Sequence, residues 1–131
     1  MAASDPFVAF SGQKYLSLET YRRDGRAVRT PLWFAAAPEE SALYVYTLAS
    51  SGKVKRLRRS SDAKIAPSDM RGHVSGPWIE VQATFVQGDT YTRAMRLLDR
   101  KYWPLKPIMN VLSRLRSERD RERVVIALRP A

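Results

Sequence analysis

The stretch Leu43-Tyr44-Val45-Tyr46-Thr47-Leu48-Ala49-Ser50-Ser51-Gly52-Lys53-Val54-Lys55-Arg56-Leu57 decides the reading of the chain. Leu43, Val45 and Thr47 alternate with Tyr44, Tyr46 and Leu48, the two-residue period of a strand with two unlike faces. Two serines and a glycine break the alternation, and Val54 and Leu57 then fall three apart, as on the inner face of a short helix. A strand thus stops at a helix N-terminus. Free backbone N–H groups and the positive end of the helix dipole point there at one place. Ser51 suits the N-cap, Gly52 allows close backbone approach, and Lys53, Lys55 and Arg56 add charge. Two readings fit: a clamp for an anionic group such as a cofactor phosphate, or a surface turn leading into a solvated basic helix.

Outward from this junction, strand-like alternation recurs. Residues 15–20 and 27–35 read as strands joined by a turn at Arg23-Asp24-Gly25-Arg26, where Asp-Gly is suited to positive φ. Residues 38–41 form a second turn and 42–48 the third strand. Residues 52–59 are the short helix and 62–68 a fourth strand. Residues 69–76 are a loop with two glycines. Residues 77–87 alternate most clearly, with Ile79, Val81, Ala83 and Phe85 against Trp78, Glu80, Gln82 and Thr84. Gly88-Asp89-Thr90 opens a helix with Tyr91, Ala94, Leu98 and Tyr102 on one face, stopped by Pro104. Pro107 then opens another, with a stripe of Ile108, Val111, Leu112 and Leu115, and residues 123–128 close as a β-branched strand. Hairpin-linked strands with helices after the third and fifth predict a mainly β fold. The expected form is an antiparallel β-barrel with inserted helices, not a doubly wound α/β sheet.

Composition narrows the function. With 131 residues, 44% of them hydrophobic, the chain is expected to be a single domain spanning 1–131 with a real core. It has no cysteine, which removes disulfides, thiolate metal sites and a cysteine nucleophile together. The N-terminal Met-Ala-Ala-Ser-Asp-Pro has neither the basic nor the apolar region of a signal peptide. No apolar run approaches the ~18 residues of a membrane span. A cytoplasmic protein is expected. The net charge of +10 points to an anionic partner, whether nucleic acid, membrane surface or polyanionic small molecule. The block from Lys53 to Arg59 has no acid until Asp62, whereas Arg114 to Arg123 is interleaved with Glu118, Asp120 and Glu122.

Catalytic side chains are scarce. His73 is the one histidine and has no obvious partner nearby; an exposed loop residue is its simplest reading. One histidine without cysteine makes a poor zinc site, and no serine lies in a nucleophile-elbow context. Glu80 is the lone acid of its strand, without a second carboxylate for acid–base work. Pro31, in Arg29-Thr30-Pro31-Leu32-Trp33-Phe34, belongs at a strand edge or bulge. Such an edge is either ordinary or a surface on which a planar ring can lie. Trp33, Trp78 and Trp103 are large enough to line a ring pocket. Trp78 alternates outward, toward a subunit interface, a cofactor roof or a second packed layer.

These segments together resemble the flavin/deazaflavin (coenzyme F420) oxidoreductases of the pyridoxamine-phosphate-oxidase-like split-barrel superfamily. The resemblance is carried by Lys14-Tyr15-Leu16-Ser17-Leu18-Glu19-Thr20, Arg22-Arg23-Asp24-Gly25 and Arg29-Thr30-Pro31-Leu32-Trp33-Phe34-Ala35. It continues through Ser51-Gly52-Lys53-Val54-Lys55-Arg56-Leu57, Gly76-Pro77-Trp78-Ile79-Glu80 and Arg100-Lys101-Tyr102. It implies an antiparallel, FMN-binding-like split β-barrel, and a homodimer with F420, or alternatively FMN, at the subunit interface. It implies that Ser51, Gly52, Lys53, Lys55 and Arg56 hold phosphate and acidic tail. Thr30, Pro31, Leu32 and Trp33 would flank the ring, with Thr47 and Trp78 completing the expected set. The expected activity is hydride transfer between cofactor and an unsaturated or conjugated small molecule, with the chemistry carried by the cofactor and no catalytic side chain, metal or nucleic acid required. FMN-dependent chemistry on the same scaffold and a cofactor carrier without turnover are the alternatives.

Overall fold

Alternation in the sequence becomes six strands in the computed structural model, which describes residues 5–103 and 122–131. They are β1 (Tyr15–Tyr21), β2 (Ala27–Ala37), β3 (Ala42–Leu48), β4 (Asp62–Ser68), β5 (Ile79–Val86) and β6 (Arg123–Pro130). Helix α1 (Gly52–Arg59) follows β3 and helix α2 (Gly88–Tyr102) follows β5. Every pairing is antiparallel, and the strands close into a barrel in the order β1-β2-β3-β6-β5-β4. The fold is the split β-barrel, mainly β with inserted helices.

One face of each strand fills the interior. Leu16 and Leu18, Phe34, Leu43 and Val45, Ile65, Val81, and Ile126 and Leu128 form one buried cluster, joined by Leu57 of α1 and by Phe7 and Phe10 of the N-terminal turn. The outer face of β2, β3 and β6 is covered by α2. There Ala94 meets Tyr44, Val125 and Ala127, and Leu98 and Tyr102 meet Ala35. The chain thus has three layers along one side: core, sheet and helix.

The elements differ from the sequence expectations mostly at their ends. β2 runs two residues past 35, because Ala36 and Ala37 still pair with Leu43 and Ala42. β5 starts at Ile79, so Trp78 is not a strand residue. Gly76 and Pro77 interrupt the alternation there; proline has no N–H for a ladder. The turn after β1 forms as expected, with Gly25 at φ +88° and the Asp24 carboxylate accepting from the Arg26 N–H at 3.0 Å. The expected helix after Pro107 lies outside the described residues.

β2 changes partners halfway. Its residues from Ala27 to Trp33 pair with β1, and only Phe34 to Ala37 pair with β3. Beyond Val45, Tyr46 to Leu48 of β3 pair with β6 alone. Two strands adjacent in the barrel therefore part company between Trp33 and Tyr46, and the barrel is split there.

Candidate functional site

The split opens a cavity of about 370 Å³, lined by Tyr15, Pro31, Leu32, Trp33, Tyr46, Thr47, Leu48 and Arg123. Its two lips are strand edges. Backbone groups alternate in direction along a strand, and Phe34 turns its N–H toward the end of β1. Residues 33 and 31 therefore turn theirs toward the gap. Pro31 has no N–H to offer, so one ladder bond that would zip the gap shut cannot form.

The floor of the split leads to α1. Leu48 accepts from the Ser51 N–H at 3.0 Å, and Lys53 Nζ donates to Thr47 Oγ1 at 3.4 Å. Lys53 is half-buried, and burial, aided by the neighbouring charge of Arg56, lowers its pKa. The first turn of α1 contains no acid, and among the described residues neither Lys53 nor Lys55 has an ion-pair partner. Cations at the positive end of a helix dipole are unfavourable, by roughly 0.3–1 kcal/mol each. The basic last turn, with Arg56, Arg58 and Arg59, is by contrast correctly placed.

Arg56 reaches back over this N-terminus. Its Nε donates to Thr20 Oγ1 at 2.7 Å, and a Cβ on Gly52 would come within 2.8 Å of its Nη1. Gly52 therefore makes room for the Arg56 guanidinium, not only for an incoming ligand. Ser51 occupies the N-cap position, yet its side chain makes no capping bond. Its Oγ is buried without a hydrogen-bond partner. The expected capping bond is thus not made, and the hydroxyl is left unpaired.

The sequence-derived residues fall into three places. Pro31, Leu32, Trp33 and Thr47 line the split, and Ser51, Gly52, Lys53 and Arg56 lie next to it at the head of α1. Thr30 sits one position beyond the lining, opposite Leu18, and Lys55 is exposed. Trp78 is not brought to the split within this chain; its ring lies 4.7 Å from the Arg29 guanidinium. Arg29 in turn pairs with the buried Glu19 at 2.8 Å. Burial would raise the Glu19 carboxyl, but bonds from Tyr21 and Arg29 and the charges of Arg29 and Lys64 outweigh it and hold the carboxyl low.

Sequence reasoning missed a second basic element. The turn after β1 brings Arg22, Arg23 and Arg26 beside Arg56 and Arg59 of α1, around a hollow of about 480 Å³ whose one acid among the described residues is Asp24. Burial, Arg22 and Arg59 together lower the Arg56 pKa. Resemblance had flagged Arg22-Arg23-Asp24-Gly25 as a segment, but residues about 35 apart in sequence meet only once β1 packs on α1. His73 is also corrected. It does have a partner, since its Nδ1 lies 3.0 Å from Asp69 Oδ2 in an exposed loop. No cluster of metal-ligating side chains occurs among the described residues, and none of their helices is long and apolar enough to cross a membrane.

The strands, the split and the neighbouring helix define a fold class, the split β-barrel. Solved structures share that fold at low identity. An F420 reductase matches with a TM-score of 0.63 and 20% identity, over 99% of this chain and 96% of its own. A Listeria innocua protein named as a pyridoxamine 5'-phosphate oxidase matches at TM-score 0.65 and 13% identity, over 95% and 89%. HutZ, the heme storage protein of Vibrio cholerae, matches at TM-score 0.67 and 16% identity, over 92% and 83%. No family model matches the sequence, and no curated protein does. One scaffold thus carries proteins whose names mention F420, pyridoxamine 5'-phosphate and heme.

Proposed function

We propose that this protein is an F420-dependent oxidoreductase that transfers a hydride between the deazaflavin and an unsaturated or conjugated small molecule, working as a homodimer that covers the split. The observation that carries this reading is the junction of an apolar, ring-sized gap with an unneutralised helix N-terminus. Lys53 touches Thr47 of the gap and belongs to the first turn of α1.

The residues fit the group. Trp33 and Leu32 offer apolar surface to a flat ring, and the open edges at Pro31 and Trp33 offer backbone groups to its polar rim. Lys53, the free Ser51 hydroxyl and the N–H groups of α1 suit a phosphate. The hollow of Arg22, Arg23, Arg26, Arg56 and Arg59 exceeds what one phosphate needs and suits an extended acidic tail. When bound, the deazaflavin supplies the hydride. The chain binds it, orients its ring along the β2 edge, and excludes water on the side covered by Trp33.

FMN on the same scaffold would use the junction but leave most of the arginine hollow idle. Haem is supported less well, because the single imidazole, His73, is held by Asp69 in a loop away from the lining of the split.

Titration of the purified protein with F420 and with FMN, at low and at high salt, tests the proposal. Tighter binding of F420, weakened by salt and by Lys53→Ala, is expected. Preference for FMN would move the chemistry to flavin. Binding of neither would overturn the oxidoreductase reading.

A further inference from the structure

We propose that Tyr102 and Lys101, at the last turn of α2, are positioning residues that lock the point where β2 changes partners and so set the width of the split. The inference rests on the reading of the split as a binding cleft. It concerns a helix on the outside of the barrel that carries none of the groups lining that cleft.

The β1–β2 ladder ends at the pair Tyr15 and Trp33. The next pair would be Lys14 and Phe34, but β1 begins at Tyr15 and the ladder does not extend to them. The bond that would join them is replaced by a side chain. The Phe34 N–H donates to Tyr102 Oη at 2.9 Å, and Tyr102 Oη donates to Lys14 O at 2.6 Å. A phenol hydroxyl both accepts and donates, so it can stand between an amide and a carbonyl that have drawn apart. Lys101 Nζ donates to the other polar group of the same residue, Phe34 O, at 2.8 Å. Phe34 and Tyr102 are both buried, so the Phe34 N–H depends on this hydroxyl and not on water.

The lips of the split rest on the same helix. The Trp33 ring stacks on Tyr102, with centroids 4.5 Å apart and planes at 10°. Tyr46, on the opposite lip, packs with Trp33 against the cluster of Ala35, Leu98 and Tyr102. The end of α2 therefore acts as a spacer under both lips, and the Tyr102 hydroxyl fixes how far β2 has moved from β1.

The test uses a background in which Trp33 is the sole tryptophan (Trp78→Phe, Trp103→Phe). Acrylamide quenching of Trp33 and amide exchange at Phe34 are measured without ligand in that parent and in its Tyr102→Phe and Lys101→Met variants. Tyr102→Phe keeps the ring stack and removes only the bridge, while Lys101→Met keeps the length of the stem. Both variants are expected to quench more readily, to exchange Phe34 about 10-fold faster, and to bind F420 or FMN about 10-fold more weakly, the order of effect expected when a largely buried backbone group loses its side-chain hydrogen bond. Unchanged quenching and exchange would overturn the proposal, and a lower affinity with both unchanged would do so by making the two residues direct ligand contacts. If Tyr102→Phe fails to fold, Lys101→Met decides by the same readouts. If the parent binds neither cofactor, the proposed function fails, while the ligand-free measurements still decide this inference.

Discussion

Helices α1 and α2 are both amphipathic, and they serve the barrel in opposite ways. α1 buries Val54 and Leu57 and leaves Lys53 and Lys55 in its first turn without acid partners among the described residues. α2 buries Ala94, Leu98 and Tyr102, opens with Asp89 and closes with Arg100 and Lys101, so its charges follow its dipole. Among the described residues, no acid pairs with the cations of the first turn of α1. Helix α2 is consistent at every level and supplies shape. Local conflict marks where a ligand belongs, and local agreement marks what holds the frame.

The sharpest way to break this contrast is to damage the frame. Leu98→Ala should cost about 2–5 kcal/mol, because Leu98 is fully buried between the helix and the sheet. Denaturant unfolding measures it, and a loss well under ~1 kcal/mol would mean that α2 is not integral to the fold. Lys53→Ala combined with Lys55→Ala should lower F420 affinity by about 100-fold, or roughly 2.7 kcal/mol, while leaving the unfolding midpoint unchanged or slightly raised. An equal fall in affinity and stability would make the two lysines structural.

Lys55→Glu separates the roles further. An acid in the first turn should stabilise α1 by about 0.3–1 kcal/mol and at the same time weaken anion binding. A thermal melt and a titration on one preparation decide it. The smallest effect concerns Lys101, whose pKa burial pushes down to about 8, from 10.5 when unfolded. The folded protein releases this proton first, so the unfolded state binds more protons between those two values. The Lys101 contribution to stability should therefore rise with pH across the window from about 8 to 10.5. Melts of wild type and Lys101→Met should diverge there, in favour of wild type, and parallel curves would contradict the shift.

The strands were legible in the sequence because each has one face in the core. Leu43, Val45 and Thr47 point inward, and Tyr44 packs against α2, as the alternation required. The same signal overran at Pro77 and Trp78, which were read as the start of a strand that begins at Ile79. The order of strands was less accessible. β6 inserts between β3 and β5, a pairing that depends on which edges remain open after the meander closes. At the site, the α1 junction was readable because strand, serines, glycine and lysines are contiguous. The arginine hollow and the Tyr102 bridge were not, since Tyr102 meets partners 68 and 88 residues away. Nothing local distinguishes such a tyrosine from an ordinary core residue on an amphipathic helix.

Pro31 has a consequence for the protein before any ligand arrives. An open strand edge recruits other strands, from the same chain or from another copy, and proteins guard against this with residues that cannot take part in a ladder. Along the β2 edge that faces the gap, residue 31 lacks the donor such pairing would need. Closure of the cleft and pairing with another copy are both disfavoured by that missing donor. Pro31→Val would test solubility in the apo state before it tested binding.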